Sequence, residues 1–300
     1  MLFEFSLEPA LLSSYGNCCY LLERFGISQG RLVVQFPSKW FRLVYQSLPG
    51  TLTDQQRARV EVLLSRMKGC AVGRGAIAYN QDQSWLQNAE VEHLNRQFRA
   101  IIAQENPRNQ EFVLQGPYLD AGNALWSVPR DIDVARTPEA IAGAVKMLLR
   151  ISNDIAFVDP HFGPENARYR RTLVTLVAAA VFDRQTPPQR ITYFTGTGAE
   201  DEFFLNECRQ RLPTLIPKGT QVRFVKLVQR DGGERLHNRY VLTEKGGISF
   251  GIGLDAGDQA QTDDVRLLDD ALYIKRWRNY VGPDPAFDIA CEVTIVGAKP

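Results

Sequence analysis

The sequence predicts an α/β protein in two parts. A mainly helical N-terminal domain is expected over residues 1–130, and an α/β domain with a mixed sheet flanked by helices over 137–300. Three observations predict this. A length of 300 residues suits two domains of roughly 150 residues each. The first part spaces its apolar residues as helices do. From Ile155 onward, short apolar runs alternate with helical patterns, as strands covered by helices do.

The elements follow in order. The opening stretch, MLFEFSLEPALLSSYG, carries Glu4 and Glu8 and no basic segment, so no signal peptide is expected. Leu52 to Met67 is the clearest helix: Thr53 can cap it, Gln56 sits three residues on, and Val60, Leu63, Leu64 and Met67 form its apolar stripe. A second helix is expected from Asp82 to Gln104, with Trp85, Leu86, Val91, Leu94, Phe98, Ile101 and Ile102 inward. Between them KGCAVGRGAIAYN reads as a loop; no Gly-Lys-Ser/Thr follows its glycines, so it is no phosphate loop. Strand and loop are expected from Asn109 to Arg136. Thr137-Pro138-Glu139 then opens a helix to about Ser152, with Thr as cap and Pro in the first turn.

Next come an apolar strand, Ile155–Val158, ending at Asp159-Pro160, a helix over 165–182, a strand over 190–194, a helix over 201–212 and a strand over 221–227. Short connections in this order predict a mainly parallel sheet. A strand from Leu236 to Thr243 turns at Lys245-Gly246-Gly247 into a second, Ile248–Gly251. An acidic segment from Asp255 to Asp270, a basic aromatic helix (LYIKRWRNYV) and an edge strand, Cys291–Val296, complete the chain.

Composition narrows the function. With 44% hydrophobic and 23% charged residues and a net charge of +1, the chain is neither fibrous, disordered nor a histone-like polycation. It has no run of about 18 apolar residues, so a membrane span is not expected. The five cysteines include one adjacent pair and no Cys-x-x-Cys, and the three histidines lack zinc spacing. Reduced thiols in a cytoplasmic protein, with no metal and no cofactor, are the expectation. Charge is uneven, however. Residues 31–74 hold eight basic side chains against two acids. Arg57, Arg59, Arg66 and Arg74 lie among them, with Phe36, Trp40, Phe41 and Tyr45 interleaved. Such a stretch reads either as a nucleic-acid surface or as a solvated helix face beside core aromatics.

The sharpest local feature is Leu236-His237-Asn238-Arg239-Tyr240-Val241-Leu242-Thr243-Glu244. On a strand, His237 and Arg239 would share a face. The imidazole can attack phosphorus or move a proton, and the guanidinium can hold phosphate oxygens bidentately. Glu244 could return across the turn to orient the imidazole. Arg170 and Arg171, opening the helix after Asp159, could add phosphate contacts. His93, on a predicted helix without a partner one turn away, reads as packing.

His-x-Arg-x-x-x-x-Glu resembles the His-x-Lys-x-x-x-x-Asp signature of the phospholipase D superfamily. The apolar strand ending in Asp159-Pro160-His161-Phe162 resembles the opening strand of that family's repeat. Gly251-Ile252-Gly253-Leu254-Asp255 falls where the family carries Gly-Ser-x-Asn. The likeness is to divergent phospholipase D-like domains, such as the C-terminal domain of a eukaryotic MIT-domain protein and bacterial proteins of phage-defence type. It covers about residues 137–297. The resemblance implies a metal-independent phosphodiesterase or nuclease. His237 would be the nucleophile, Arg239 the phosphate clamp, and His161 or a second copy's His237 the general acid, the latter in a homodimer. Asp159, Gly251, Gly253 and Asp255 would frame the site. The departures are a single His-x-Arg, Arg for Lys, Glu for Asp, and no trailing Ser and Asn. They shift the expectation to a module that binds nucleic acid, an anionic ligand or a protein partner without efficient catalysis, in a bacterial anti-phage setting.

Overall fold

A computed structural model describes residues 1–75, 78–196, 198–258 and 260–299. Ala76 and Ile77 of the expected loop lie outside them. The chain divides into two compact units, Leu2–Pro129 and Arg130–Pro300.

The first unit corrects the expectation of a mainly helical domain. It is built on a four-stranded, wholly parallel sheet of β1 (Phe3–Leu7), β2 (Arg31–Val33), β3 (Ala100–Ala103) and β4 (Val113–Gln115), in the order β2-β1-β3-β4. The helices are α1 (Tyr15–Leu22), α2 (Trp40–Ser47), α3 (Asp54–Cys70) and α4 (Trp85–Asn95). Phe5, Leu7, Val33 and Ile102 pack with Leu21, Trp40, Leu64 and Met67 in one buried cluster. Helix α3 starts where its signals place it, with the capping box closed both ways between Thr53 and Gln56. The expected second helix stops at Asn95, because Arg96 turns extended (φ −142°, ψ 98°). The four residues Ala-Ile-Ile-Ala that follow are a fully buried parallel strand. Such a short apolar run carries no period of its own, so it satisfied the helical spacing equally well.

The second unit holds an eight-stranded mixed sheet in the order β12-β8-β7-β6-β9-β10-β11-β5. Its elements are β5 (Asp131–Ala135), α5 (Pro138–Ile151), β6 (Asp154–Val158), α6 (Ala167–Val181), β7 (Arg190–Thr195), α7 (Asp201–Arg211), β8 (Gln221–Gln229), β9 (Arg239–Thr243), β10 (Gly246–Phe250), β11 (Thr262–Leu267), α8 (Asp270–Tyr280) and β12 (Phe287–Val296). Only β6, β7 and β8 run parallel; the other pairings are antiparallel, so the sheet is not mainly parallel. The unit begins with β5, before residue 137, because β5 pairs with β11 at the sheet's edge. On one face Phe162, Tyr193 and Phe224 pack ring on ring, with Tyr169 of α6 against Phe162. Helix α5 lies beside α6, and Lys226 of β8 bonds Asp201 at the start of α7 on that side. The opposite face has α8, held over Val158, Phe194, Val225 and Tyr240 by its buried Tyr280.

Candidate functional site

One helix cannot cover such a sheet. Eight strands span about 34 Å, whereas an eleven-residue helix is about 16 Å long and about 10 Å wide. Asp269 caps α8 by accepting from the Leu272 amide at 2.8 Å, and the Tyr273 hydroxyl donates to the Thr243 carbonyl at 2.8 Å. These bonds fix the helix over β9. Beside it an open groove of about 750 Å³ remains, over β9, β10, β11 and β5.

The register builds the floor of the groove. Tyr240, Ser249, Arg266 and Asp131 stand in one row across four strands, and Asp264 faces Asp133 in the next. His237, Asn238 and Arg239 enter at the start of β9, with Leu272 and Arg276 of α8 as the wall. Arg266 pairs with Asp131 and Arg276 with Glu234, at 2.5 and 2.6 Å. The groove therefore has a histidine-bearing basic end and an acidic end.

The expected catalytic set does not assemble. His237 is exposed and precedes β9 by two residues, so strand alternation does not put it on Arg239's face. Its Nδ1 lies 3.3 Å from the Arg235 carbonyl. Glu244 does not orient it. Glu244 sits past the far end of β9, where its two carboxylate oxygens accept from the amides of Asn153 (2.9 Å) and Asp154 (3.0 Å). Seven extended residues span about 23 Å, and the chain reverses into β10 only after Glu244, so the turn does not bring its side chain back to His237. Arg239 donates through Nη1 to the His237 carbonyl at 2.8 Å, and its buried Nε has no hydrogen-bond partner among the described residues.

Asp159, next to the Val158–Tyr240 pair, faces the Arg239 side of β9. It is fully buried and accepts from the amides of His161 (2.9 Å) and Leu254 (2.7 Å), tying the loop after β6 to the loop after β10. Burial lifts its carboxyl above the ordinary value. The two amides and Arg239 pull the other way, and Asp255 adds to the rise. Asp255 is itself buried between Arg136 and Arg168, the latter at 3.1 Å. Asp263 accepts from the amides of Gly251 (2.9 Å) and Ile252 (3.0 Å). A β-carbon at Gly251 would stand 2.8 Å from Asp263 Oδ1, and one at Gly253 would stand 2.6 Å from Asp255 Oδ1. The glycine-rich turn is thus wrapped around buried carboxylates. Arg136, Arg168 and Asp263 escaped the sequence reading. Arg168 lies two residues before the flagged arginines and Asp263 inside the acidic segment, neither read as part of a site, whereas nothing local marks Arg136.

His161 lines a separate hollow of about 250 Å³ at the carboxyl ends of β6, β7 and β8, with Lys226 and Glu165. The two histidines therefore do not share a cavity. Arg170 is turned back to the Pro164 carbonyl at 2.6 Å, whereas Arg171 is exposed on α6.

The four arginines of the first unit do not form a patch. Arg74 is buried in an ion cluster with Glu4 and Glu92 and lies 4.1 Å above the Phe98 ring, which removes it as a ligand contact. Arg59 pairs with Glu23. At 100° per residue, Arg59 and Arg66 flank one side of the buried stripe of α3 and Arg57 the other. His93 is buried and stacked on Phe112 at 4.0 Å, with Nδ1 accepting from the Phe98 amide, as a packing residue should be. Among the described residues no helix is long and apolar enough to cross a membrane, and no group of three or more His, Cys, Asp or Glu could hold a metal ion.

No family model matches the chain, and no curated protein matches it. Among solved structures it is similar to TrmBL2, an archaeal chromatin protein whose structure shows a novel mode of DNA binding. The identity is 11% and the TM-score 0.27, with 85% of this chain and 72% of that one covered. A score so low carries no argument about fold or ligand.

Proposed function

We propose that residues 130–300 act as a divergent phospholipase D-like module that binds a phosphate-bearing ligand, nucleic acid foremost, at the basic end of the groove without turning it over. The sequence resemblance supplies the family and the bacterial-defence setting. One observation supports binding over catalysis. Among the described residues His237 is the one histidine lining the groove; the groove's carboxylates, Asp131, Asp133 and Asp264, belong to its acidic end, Glu244 is bonded at the other end of β9, and His161 lies in a different hollow. A nucleophilic histidine needs a second acid–base group to protonate the leaving oxygen and then activate water. A binding site needs only donors. Arg239, which lines the groove, and the exposed His237 offer them to phosphate oxygens.

The exposure of His237 favours one alternative. A second copy could approach this edge and present its own His237, giving a metal-independent phosphodiesterase that works only as a homodimer. Fluorescence anisotropy with labelled single- and double-stranded oligonucleotides tests the binding reading. Affinity should fall steeply with salt, as counterion release requires, and Arg239→Ala should weaken it by about tenfold or more. Binding that is absent at low salt, or unchanged in both Arg239→Ala and His237→Ala, would remove the groove as the site.

A further inference from the structure

On the other side of α8 lies a second hollow with different chemistry. It is a pocket of about 140 Å³ between the C-terminal turn of α8 and strands β7, β8 and β12. Its floor is apolar, made by Phe194, Leu227 and Phe287. Its polar side chains are Arg190, Thr192, Arg223, Asn279 and Tyr280, and no Asp or Glu lines it. Arg190, Thr192 and Phe194 alternate along β7 and so share the face under α8, and Thr192 stands opposite Arg223 on β8.

The donors in this pocket exceed the acceptors. The Nδ2 of Asn279 is buried with no hydrogen-bond partner. A buried donor left unpaired is costly and rare, so it calls for an acceptor. Arg190 gives Nε and Nη2 to Asp154, and Arg223 gives Nη2 to Glu292. The remaining guanidinium nitrogens, Nη1 of Arg190 and Nε and Nη1 of Arg223, have no protein acceptor among the described residues, and both side chains are open to solvent and so to a ligand.

We propose that this pocket binds a small organic acid, a carboxylate on an apolar stem of about benzene size. A carboxylate is acceptor-only and suits the remaining guanidinium donors and the Asn279 amide that line the pocket. The apolar floor takes the stem, and an apolar cavity of roughly 150 Å³ accommodates a benzene ring. Inorganic phosphate would satisfy the donors but leave the floor unfilled. This site is independent of the groove, since α8 stands between them.

The test is titration of the full chain with benzoate, followed by amide chemical shifts and by melting temperature. Saturable binding is expected, with benzyl alcohol and inorganic phosphate binding far more weakly. Asn279→Asp, which puts a carboxylate where the donor points, should weaken benzoate by about tenfold or more. Arg223→Gln, at a partly exposed position, should weaken it as well and decides the matter should Asn279→Asp fail to fold. No saturable benzoate binding overturns the proposal. So does equal binding of benzyl alcohol or phosphate, or wild-type affinity in folded Asn279→Asp or in Arg223→Gln.

Discussion

Replacing Asp159 with alanine should loosen both loops at the head of the groove while leaving the sheet intact. The side chain is fully buried and accepts two backbone amides, from His161 and Leu254. Each amide left unpaired in a buried place costs about 1–3 kcal/mol. Part is returned, because the wild type buries a carboxylate that burial already disfavours. The expected net loss is about 2–4 kcal/mol. Hydrogen exchange reads it locally: the amides of His161 and Leu254 should exchange roughly thirtyfold faster or more, while those of β7 and β8 stay protected. The pH dependence has a definite sign. A carboxyl whose folded value is raised contributes stability that is present below its ordinary 3.8 and is lost as pH rises through the folded value. The wild type should show that fall and Asp159→Ala should not, so the gap between them narrows from acid towards neutral pH. Unchanged exchange at both amides, or a gap that widens with rising pH, would refute the reasoning.

Three further outcomes follow from the same structure. Arg74→Ala removes the buried guanidinium that pairs with Glu4 and one of the two that pair with Glu92 and should destabilise the first unit by about 3–5 kcal/mol, measured by urea unfolding, with no change in oligonucleotide affinity at temperatures where it is folded. Glu244→Ala frees the amides of Asn153 and Asp154 and should cost about 1–3 kcal/mol, yet leave groove binding at the wild-type level; a loss of binding in the folded variant would restore Glu244 to the site. Burial, with Arg74 adding to it, holds His93 below its ordinary 6.5. Its contribution is present above 6.5 and lost as pH falls through the lowered folded value, so exchange at the β3 amides should accelerate on acidification in wild type and much less in His93→Gln.

What the sequence made legible was whatever local chemistry decides. The capping box of α3, the Thr137-Pro138 start of α5 and the strand–helix alternation from β6 to β8 all read directly. Strand β11 was hidden for a physical reason. Its inward positions are Asp263, Val265 and Leu267, and an aspartate in the core breaks the apolar alternation. That aspartate points inward because the amides of Gly251 and Ile252 need it. The site failed at a different level. His237, Arg239 and Glu244 were found as residue types at a spacing, but spacing does not say where a strand starts. Because β9 begins at Arg239, His237 stands outside it, and the strand carries Glu244 away from the groove. Arg74 shows the same limit, since its charge is visible in sequence and the glutamates that enclose it come from residues 4 and 92.

The most direct measurement of the central claim is product formation from a labelled oligonucleotide at saturating protein in the presence of chelator, for wild type and His237→Ala. Binding without turnover requires product no greater than the buffer blank for both, while anisotropy shows the oligonucleotide bound to wild type. Product that forms with wild type and vanishes with His237→Ala would contradict it and establish the histidine as a nucleophile.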